Sequence, residues 1–113
     1  MIITICGSVR LGREVWDKLA EKLTFQGHLI FTVNVWNKHG FLHTDEGKEA
    51  KEILDIVHKV KISKSDLVYV LWKDGRIGAS TRSEISHAKN LNIPIKFIDV
   101  DKFLNSKVKE TIE

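Results

Sequence analysis

The sequence has a single cysteine, a single proline and a single methionine, and it has no long apolar run. One cysteine excludes an internal disulfide and cannot build a zinc site alone, so we expect a reducing, cytoplasmic compartment. No apolar run approaches the ~20 residues that a membrane-spanning helix needs. The first apolar segment, residues 2–6, follows no basic region and ends at a glycine, which predicts a strand and not a signal peptide.

A strong excess of one charge sign is also missing. The chain has 18 basic and 15 acidic residues, which gives a net charge of +3 over 113 residues. The two signs are interspersed, and the densest basic stretch, residues 59–64, is spaced as a solvated helix face. We therefore expect neither a nucleic-acid partner nor a membrane partner, since the basic footprint of such binders is absent. The length fits one globular domain, which we predict to span residues 1–113.

Apolar runs and amphipathic stretches alternate along the chain. This periodicity predicts strands at 2–6, 29–35, 66–72 and 94–98, and helices at 14–26, 47–63, 80–91 and within 100–112. The alternating order predicts an α/β protein, a single flavodoxin-like three-layer domain with a mostly parallel sheet of about four or five strands. Ligands of such sheets bind beyond the carboxyl ends of the strands, so we expect the segments 7–12, 36–46 and 73–83 to share one edge.

The turn after the first predicted strand has the composition of an anion-binding loop. Gly7 lets the backbone approach a ligand closely, and Ser8 offers a hydroxyl beside the start of a helix. Arg10 or Arg13 can add a bidentate contact to a phosphate or carboxylate. The spacing matches neither a Rossmann fingerprint nor a P-loop, and an ordinary strand-to-helix turn explains the same residues equally well.

A second segment rich in glycine and hydroxyl groups, residues 74–83, leads into Glu84. Ser80 is the expected N-cap of the following helix, and Glu84 should lie in the first turns of that helix. There the helix dipole would keep its carboxylate ionised. An ionised carboxylate suits nucleophilic attack on an anomeric carbon, or stabilisation of an oxocarbenium-like transition state. An exposed glutamate in a capping pattern is the alternative interpretation.

Three segments together resemble the nucleoside 2-deoxyribosyltransferase-like superfamily. They are Gly7-Ser8-Val9-Arg10, then Ser65-Asp66-Leu67-Val68-Tyr69-Val70, and then Ile77-Gly78-Ala79-Ser80-Thr81-Arg82-Ser83-Glu84-Ile85 with Ala88. The likeness covers about residues 2–98 and is closest to the short members, including the 2′-deoxynucleoside 5′-phosphate N-hydrolases. It implies cleavage or transfer of the N-glycosidic bond of a nucleoside or nucleoside 5′-monophosphate, without a metal or organic cofactor, by a dimer or a larger homo-oligomer.

The resemblance also implies roles for particular residues. Glu84 occupies the position of the nucleophile that attacks C1′ and releases the base. The positions that would hold the sugar and the 5′-phosphate are Gly7, Ser8, Arg10, Gly78 and Ser80. A catalytically silent nucleotide-binding or sensor module of the same fold is the alternative function.

Two positions depart from the pattern of the N-hydrolases. Thr4 stands where they commonly carry a tyrosine, and His58 stands where they carry an aspartate. His58 could protonate the leaving base, because imidazole titrates near neutral pH. A core or boundary histidine is the alternative.

The loop after the second predicted strand carries Trp36, His39, Phe41 and His43. Trp36 could stack on a base, or the loop aromatics could form a hydrophobic plug. Cys6 is expected to be a small buried hydrophobe at the end of its strand. The five histidines show no paired ligand spacing, so the sequence assigns no metal site.

Overall fold

The protein folds as a parallel β-sheet covered by helices on both faces, in a computed structural model that describes residues 1–36 and 40–105. The strands of the described part are β1 (Ile2–Cys6), β2 (Leu29–Phe31), β3 (Leu67–Trp72) and β4 (Ile95–Asp99). The helices are α1 (Arg13–Phe25), α2 (Lys48–Ser63), α3 (Ala79–Asn90) and α4, which begins at residue 100 and is described to residue 105. Short 3-10 turns occupy Val9–Leu11 and Phe41–His43.

The four strands lie in the order β2-β1-β3-β4, and every neighbouring pair is parallel. The chain moves from β1 to β2 on one side and then crosses back to place β3 on the other side of β1. The strand order therefore reverses between β1 and β3, where ligands of open α/β sheets bind. The predicted α/β, flavodoxin-like three-layer architecture is confirmed.

Alternation along β1 divides its side chains between two cores. Ile3 and Ile5 pack on one face of the sheet with α1, where Trp16 is the largest fully buried side chain. Cys6 packs on the opposite face with Ile62 of α2. Because successive strand residues point to opposite faces, this register directs Thr4 and Cys6 towards the α2 and α3 side.

Most predicted element bounds agree with the structure to within one residue, and β2 is the main exception. It ends at Phe31 and not at residue 35, because the chain leaves the sheet there. The Thr32 carbonyl accepts a hydrogen bond from Lys61 Nζ of α2 at 2.9 Å. The later part of the helix predicted within 100–112 lies outside the described residues.

The predicted N-cap of α3 is wrong. Gly78 is the N-cap residue, in an extended conformation (φ −71°, ψ 168°), and no side chain caps the helix. Ser80 is instead the second residue of the helix. Within residues 1–36 and 40–105, none of the helices combines the length and apolar character needed to cross a membrane.

Gly47, which precedes α2, is a tight packing point that holds the 3-10 turn at Phe41 against the helix. A Cβ at this position would lie 1.9 Å from the Phe41 carbonyl oxygen, which is part of the backbone and cannot rotate away. We therefore expect Gly47→Ala to lower the free energy of unfolding by about 1–3 kcal/mol, measured by urea denaturation. Gly78→Ala is the matched control, because no atom lies within 4 Å of its added Cβ. Equal stability of the two variants would contradict this packing constraint.

Candidate active site

A cavity of about 430 Å³ opens beyond the carboxyl ends of β1 and β3, at the reversal of strand order. Its volume lies in the range of small-molecule sites. Its walls come from the turn after β1, the segments after β2, one face of α2 and the start of α3. The lining residues are Gly7, Ser8, Val9, Arg10, Val33, Asn34, Val35, Leu42, His43, Lys51, Leu54, Asp55, Val57, His58, Lys61, Gly78, Ala79, Ser80, Thr81 and Glu84.

The predicted site residues are brought together in this cavity, with one exception. Residues from both glycine-rich segments line its wall, together with the two proposed catalytic side chains. These residues are Gly7, Ser8, Arg10, His58, Gly78, Ser80 and Glu84. The parallel topology explains the grouping, because the carboxyl ends of β1 and β3 are neighbours in the sheet.

Trp36 is the exception, since it is not among the lining residues. Its ring meets Trp16 edge-on, with centroids 5.9 Å apart, and the Arg13 guanidinium lies 5.0 Å from its centroid. Trp36 therefore packs with α1 outside the cavity, so its position favours the hydrophobic plug over stacking on a base. His39, from the same loop, lies outside the described residues.

The turn after β1 is ordered by its own polar groups. Ser8 Oγ accepts a hydrogen bond from the Arg10 backbone N–H at 3.1 Å, and the Ser8 carbonyl accepts one from Trp16 Nε1 at 3.2 Å. The Ser8 hydroxyl can still donate its own hydrogen to a ligand. The Arg10 side chain is exposed at the mouth of the cavity.

Glu84 and His58 line the cavity in contact with each other, and Cys6 lies buried behind them. Glu84 Oε2 lies 3.0 Å from His58 Nε2, and both side chains are 12% exposed. Cys6 Sγ lies 3.4 Å from the same His58 nitrogen. Glu84 Oε2 is buried and has no hydrogen-bond partner in the described part of the chain, so its approach to His58 lacks hydrogen-bond geometry.

Burial raises the pKa of Glu84 to about 7. The negative charge of Asp55 also raises this pKa, whereas the Cys6 thiol and the charge of Lys59 lower it. The expectation that the helix dipole keeps the carboxylate ionised is therefore wrong in direction. Glu84 lies in the second turn of α3, and the dipole acts mainly within the first turn, so burial dominates.

Burial has the opposite effect on His58, because it disfavours the charged imidazolium. It lowers the pKa of His58 to about 4, and the charge of Lys61 lowers it further, while a hydrogen bond with the Ile5 backbone opposes both. Between about pH 4 and about pH 7 burial favours the neutral forms of both side chains, so their contact is not primarily an ion pair. Since the imidazolium is scarce at neutral pH, the geometry favours His58 as a positioning residue beside Glu84 over the predicted proton donor.

Cys6 is the member of this contact that sequence reasoning missed. Burial, together with the nearby Glu84, raises the pKa of its thiol well above the usual range, so the uncoordinated sulfur stays protonated and is a poor nucleophile. A signal was available, because alternation from Ile3 and Ile5 places Cys6 on the other face of β1, at the strand end where ligands bind.

Apart from His58, the polar face of α2 was also missed. Lys51, Asp55, His58 and Lys61 follow one another at helical spacing and all line the cavity. Lys61 Nζ donates a hydrogen bond to the Asn34 side-chain oxygen. Partial burial lowers the pKa of the Lys61 ammonium group. Together with Arg10, these lysines provide cations that suit an anionic ligand.

Comparison of the sequence with protein-family models gives no match, and comparison with curated proteins gives none either.

The raised pKa of Glu84 predicts that ionisation of this carboxyl opposes folding. The folded state holds the proton up to about pH 7, whereas the unfolded chain releases it near 4.5, so this contribution to stability is lost as pH rises through that window. We expect the unfolding free energy of Glu84→Gln, relative to wild type, to increase between those pH values by up to about 3 kcal/mol. Urea denaturation followed by tryptophan fluorescence measures this difference.

Glu52→Gln is the matched control, because Glu52 is an exposed residue of α2 that does not line the cavity. Its difference from wild type should stay within about 0.5 kcal/mol over the same pH range. Parallel pH profiles for wild type and Glu84→Gln would contradict the raised pKa.

Proposed function

We propose that the protein cleaves or transfers the N-glycosidic bond of a nucleoside or nucleoside 5′-monophosphate, with the Glu84 carboxylate as the nucleophile. The observation that carries the proposal is the position of Glu84 in the wall of the cavity at the strand-order reversal, between the Gly7-Ser8 turn and the start of α3. The resemblance to nucleoside 2-deoxyribosyltransferase-like enzymes supplies the reaction class. The Glu84 side chain is 12% exposed, so its carboxyl is largely shielded from bulk solvent.

The reaction proceeds in two displacements. An ionised Glu84 oxygen bonds to C1′ of the sugar, the C1′–N bond breaks, and its electron pair leaves with the base. The departing base takes a proton from water, because His58 is neutral in this pH range. In the second displacement, water in a hydrolase or a second base in a transferase bonds to C1′ while the bond between C1′ and the Glu84 oxygen breaks. The carboxylate is regenerated, and the proton lost by the attacking group passes to solvent.

The remaining polar groups of the cavity hold the sugar and any phosphate. Ser8 and Ser80 offer hydroxyl groups, and the backbone at Gly78 has no side chain to obstruct a ligand. Gly7 also lines the cavity, but a Cβ there would contact Leu71 and Trp16. Arg10 and the lysines of α2 can compensate a 5′-phosphate charge. We therefore expect monophosphates to be the better substrates.

A non-catalytic nucleotide-binding module is the alternative. Two observations favour it: Glu84 is largely protonated below pH 7, and Thr4 is fully buried and hydrogen-bonded to Ser65. Thr4 therefore lies away from the cavity and supplies no group to replace the family's tyrosine. This alternative predicts ligand binding without release of free base.

The homo-oligomer expected from the resemblance stays a prediction. Ile53, Ile56 and Val60 are exposed on α2, beside Val57, which lines the cavity. A second copy that covered these side chains would lie at the edge of the site.

Release of free base from a panel of nucleosides and nucleoside monophosphates tests the activity. We expect wild type to release base from at least one member, measured by chromatography, and Glu84→Gln to lose at least ~10³-fold in rate, because an amide is a far weaker nucleophile. Glu52→Gln makes the same chemical change outside the cavity and should keep the wild-type rate. Ligand-dependent stabilisation with no base release from any substrate would establish the alternative instead.

The rate of base release should rise with pH through a midpoint near 7, since only the ionised carboxylate attacks C1′. Asp55→Asn removes a charge that raises the pKa of Glu84, so its midpoint should move to lower pH. The rates are measured between about pH 5 and about pH 9 in the presence of a metal chelator. A wild-type rate that is flat or falling across pH 7 would contradict the role of ionised Glu84.

A further inference from the structure

Three side chains of different chemistry converge at the inner wall of the cavity. The Cys6 sulfur, the His58 ring nitrogen and a Glu84 carboxylate oxygen all lie within 4.8 Å of one another. They come from the end of β1, from α2 and from α3, so their closeness is a product of the fold and not of sequence spacing. Rigid elements hold each of them in place.

The distances suit a small divalent cation. In a tetrahedral zinc site the metal–ligand bonds are about 2.0–2.3 Å, which places neighbouring ligand atoms roughly 3.3–3.6 Å apart. Here His58 Nε2 is 3.0 Å from Glu84 Oε2 and 3.4 Å from Cys6 Sγ. An outward shift of a few tenths of an ångström between His58 and Glu84 would bring both distances into that range.

An independent observation at the same place is the orphaned Glu84 Oε2. This buried oxygen makes no hydrogen bond of good geometry in the described part of the chain, although His58 Nε2 lies 3.0 Å away and the Cys6 thiol interacts with the same carboxyl group. A buried polar atom left without a partner destabilises the folded state, and a cation bound between the three side chains would satisfy it. The His58 ring also contacts the Ile5 backbone, which resembles the outer support that metal-binding imidazoles usually have.

We propose that Cys6, His58 and Glu84 form a binding site for a thiophilic divalent cation such as Zn²⁺, with a fourth coordination position open to the cavity. Sulfur and imidazole ligands favour Zn²⁺ over Mg²⁺ and Ca²⁺, which prefer oxygen. His58 and Glu84 line the cavity while Cys6 lies behind it, so the open position faces the ligand space.

Charge and protons balance in this site. Binding transfers the thiol proton of Cys6 to solvent and, below about pH 7, the carboxyl proton of Glu84 as well. The resulting thiolate and carboxylate together neutralise the charge of the cation. The proposal departs from the sequence expectation of no metal, which rested on ligand spacing along the chain, on the single cysteine and on the family resemblance. A bound cation would also occupy the carboxylate needed for attack on C1′; that consequence rests on the proposed function, whereas metal binding does not.

The test uses the full chain, freed of metal with a chelator and then titrated with Co²⁺ and Zn²⁺. We expect one Co²⁺ per chain with a near-ultraviolet sulfur-to-cobalt charge-transfer band, and displacement of that band by Zn²⁺. Cys6→Ser should abolish the band. His58→Ala and Glu84→Gln should each weaken Zn²⁺ binding at least ~10-fold, measured by competition with a chromophoric chelator.

His28→Ala is the matched control. The His28 ring nitrogen lies 3.0 Å from the N-terminal amine, and these two exposed groups could together bind a metal ion at the surface. Its removal should leave the band and the Zn²⁺ affinity unchanged. Circular dichroism verifies that each variant is folded. The cobalt band of the wild-type protein tests metal binding even if a variant fails to fold. Absence of the band in wild type, or loss of Zn²⁺ binding in His28→Ala alone, would overturn the proposal. Base release is not measured, so the outcome is independent of the proposed activity.

Discussion

The burial of the Glu84 carboxyl against His58 and Cys6 determines the chemistry of the cavity. A carboxyl group with little access to water favours its neutral form, and a buried imidazole does the same, so the two side chains lie in contact without forming an ion pair. The folded protein thus keeps a proton on Glu84 until near-neutral pH. Burial therefore opposes the ionisation of Glu84, which is the form that the proposed reaction requires.

The parallel sheet explains why this contact forms where it does. β1 and β3 are neighbours, and the chain leaves them towards opposite edges of the sheet, which opens a space beyond their carboxyl ends. Cys6 is the last residue of β1, α2 covers the same face, and the first turns of α3 follow β3. The parallel arrangement brings residues that are distant in sequence into one wall.

Much of the fold could be predicted from local signals. Apolar periodicity located β1, α1, α2, β3 and α3, because a buried strand and an amphipathic helix each carry their own pattern. The end of β2 could not be predicted, because it depends on the Lys61 side chain binding the Thr32 carbonyl across the fold. The prediction of Ser80 as the N-cap was wrong for a related reason, because α3 begins at the extended backbone of Gly78 and not at a side-chain hydroxyl.

The site was predicted less completely than the fold. Glycine and hydroxyl groups next to predicted strand ends placed Ser8, Ser80 and Glu84 at one edge of the sheet. This grouping could be predicted because the carboxyl ends of parallel strands share an edge. The packing of Trp36 against Trp16 and the contact of Cys6 with His58 are tertiary contacts, which local sequence patterns do not report. The pKa of Glu84 depends on burial, which no sequence spacing reports.

Mass spectrometry tests whether Glu84 attacks C1′ of the sugar. The protein is quenched during turnover with a nucleoside or nucleoside monophosphate that it cleaves. If the Glu84 carboxylate attacks C1′, the intact chain gains the mass of the glycosyl group, and peptide mapping locates this group on Glu84. Base release accompanied by an adduct on another residue, or the absence of both base release and adduct with every substrate, would contradict the account.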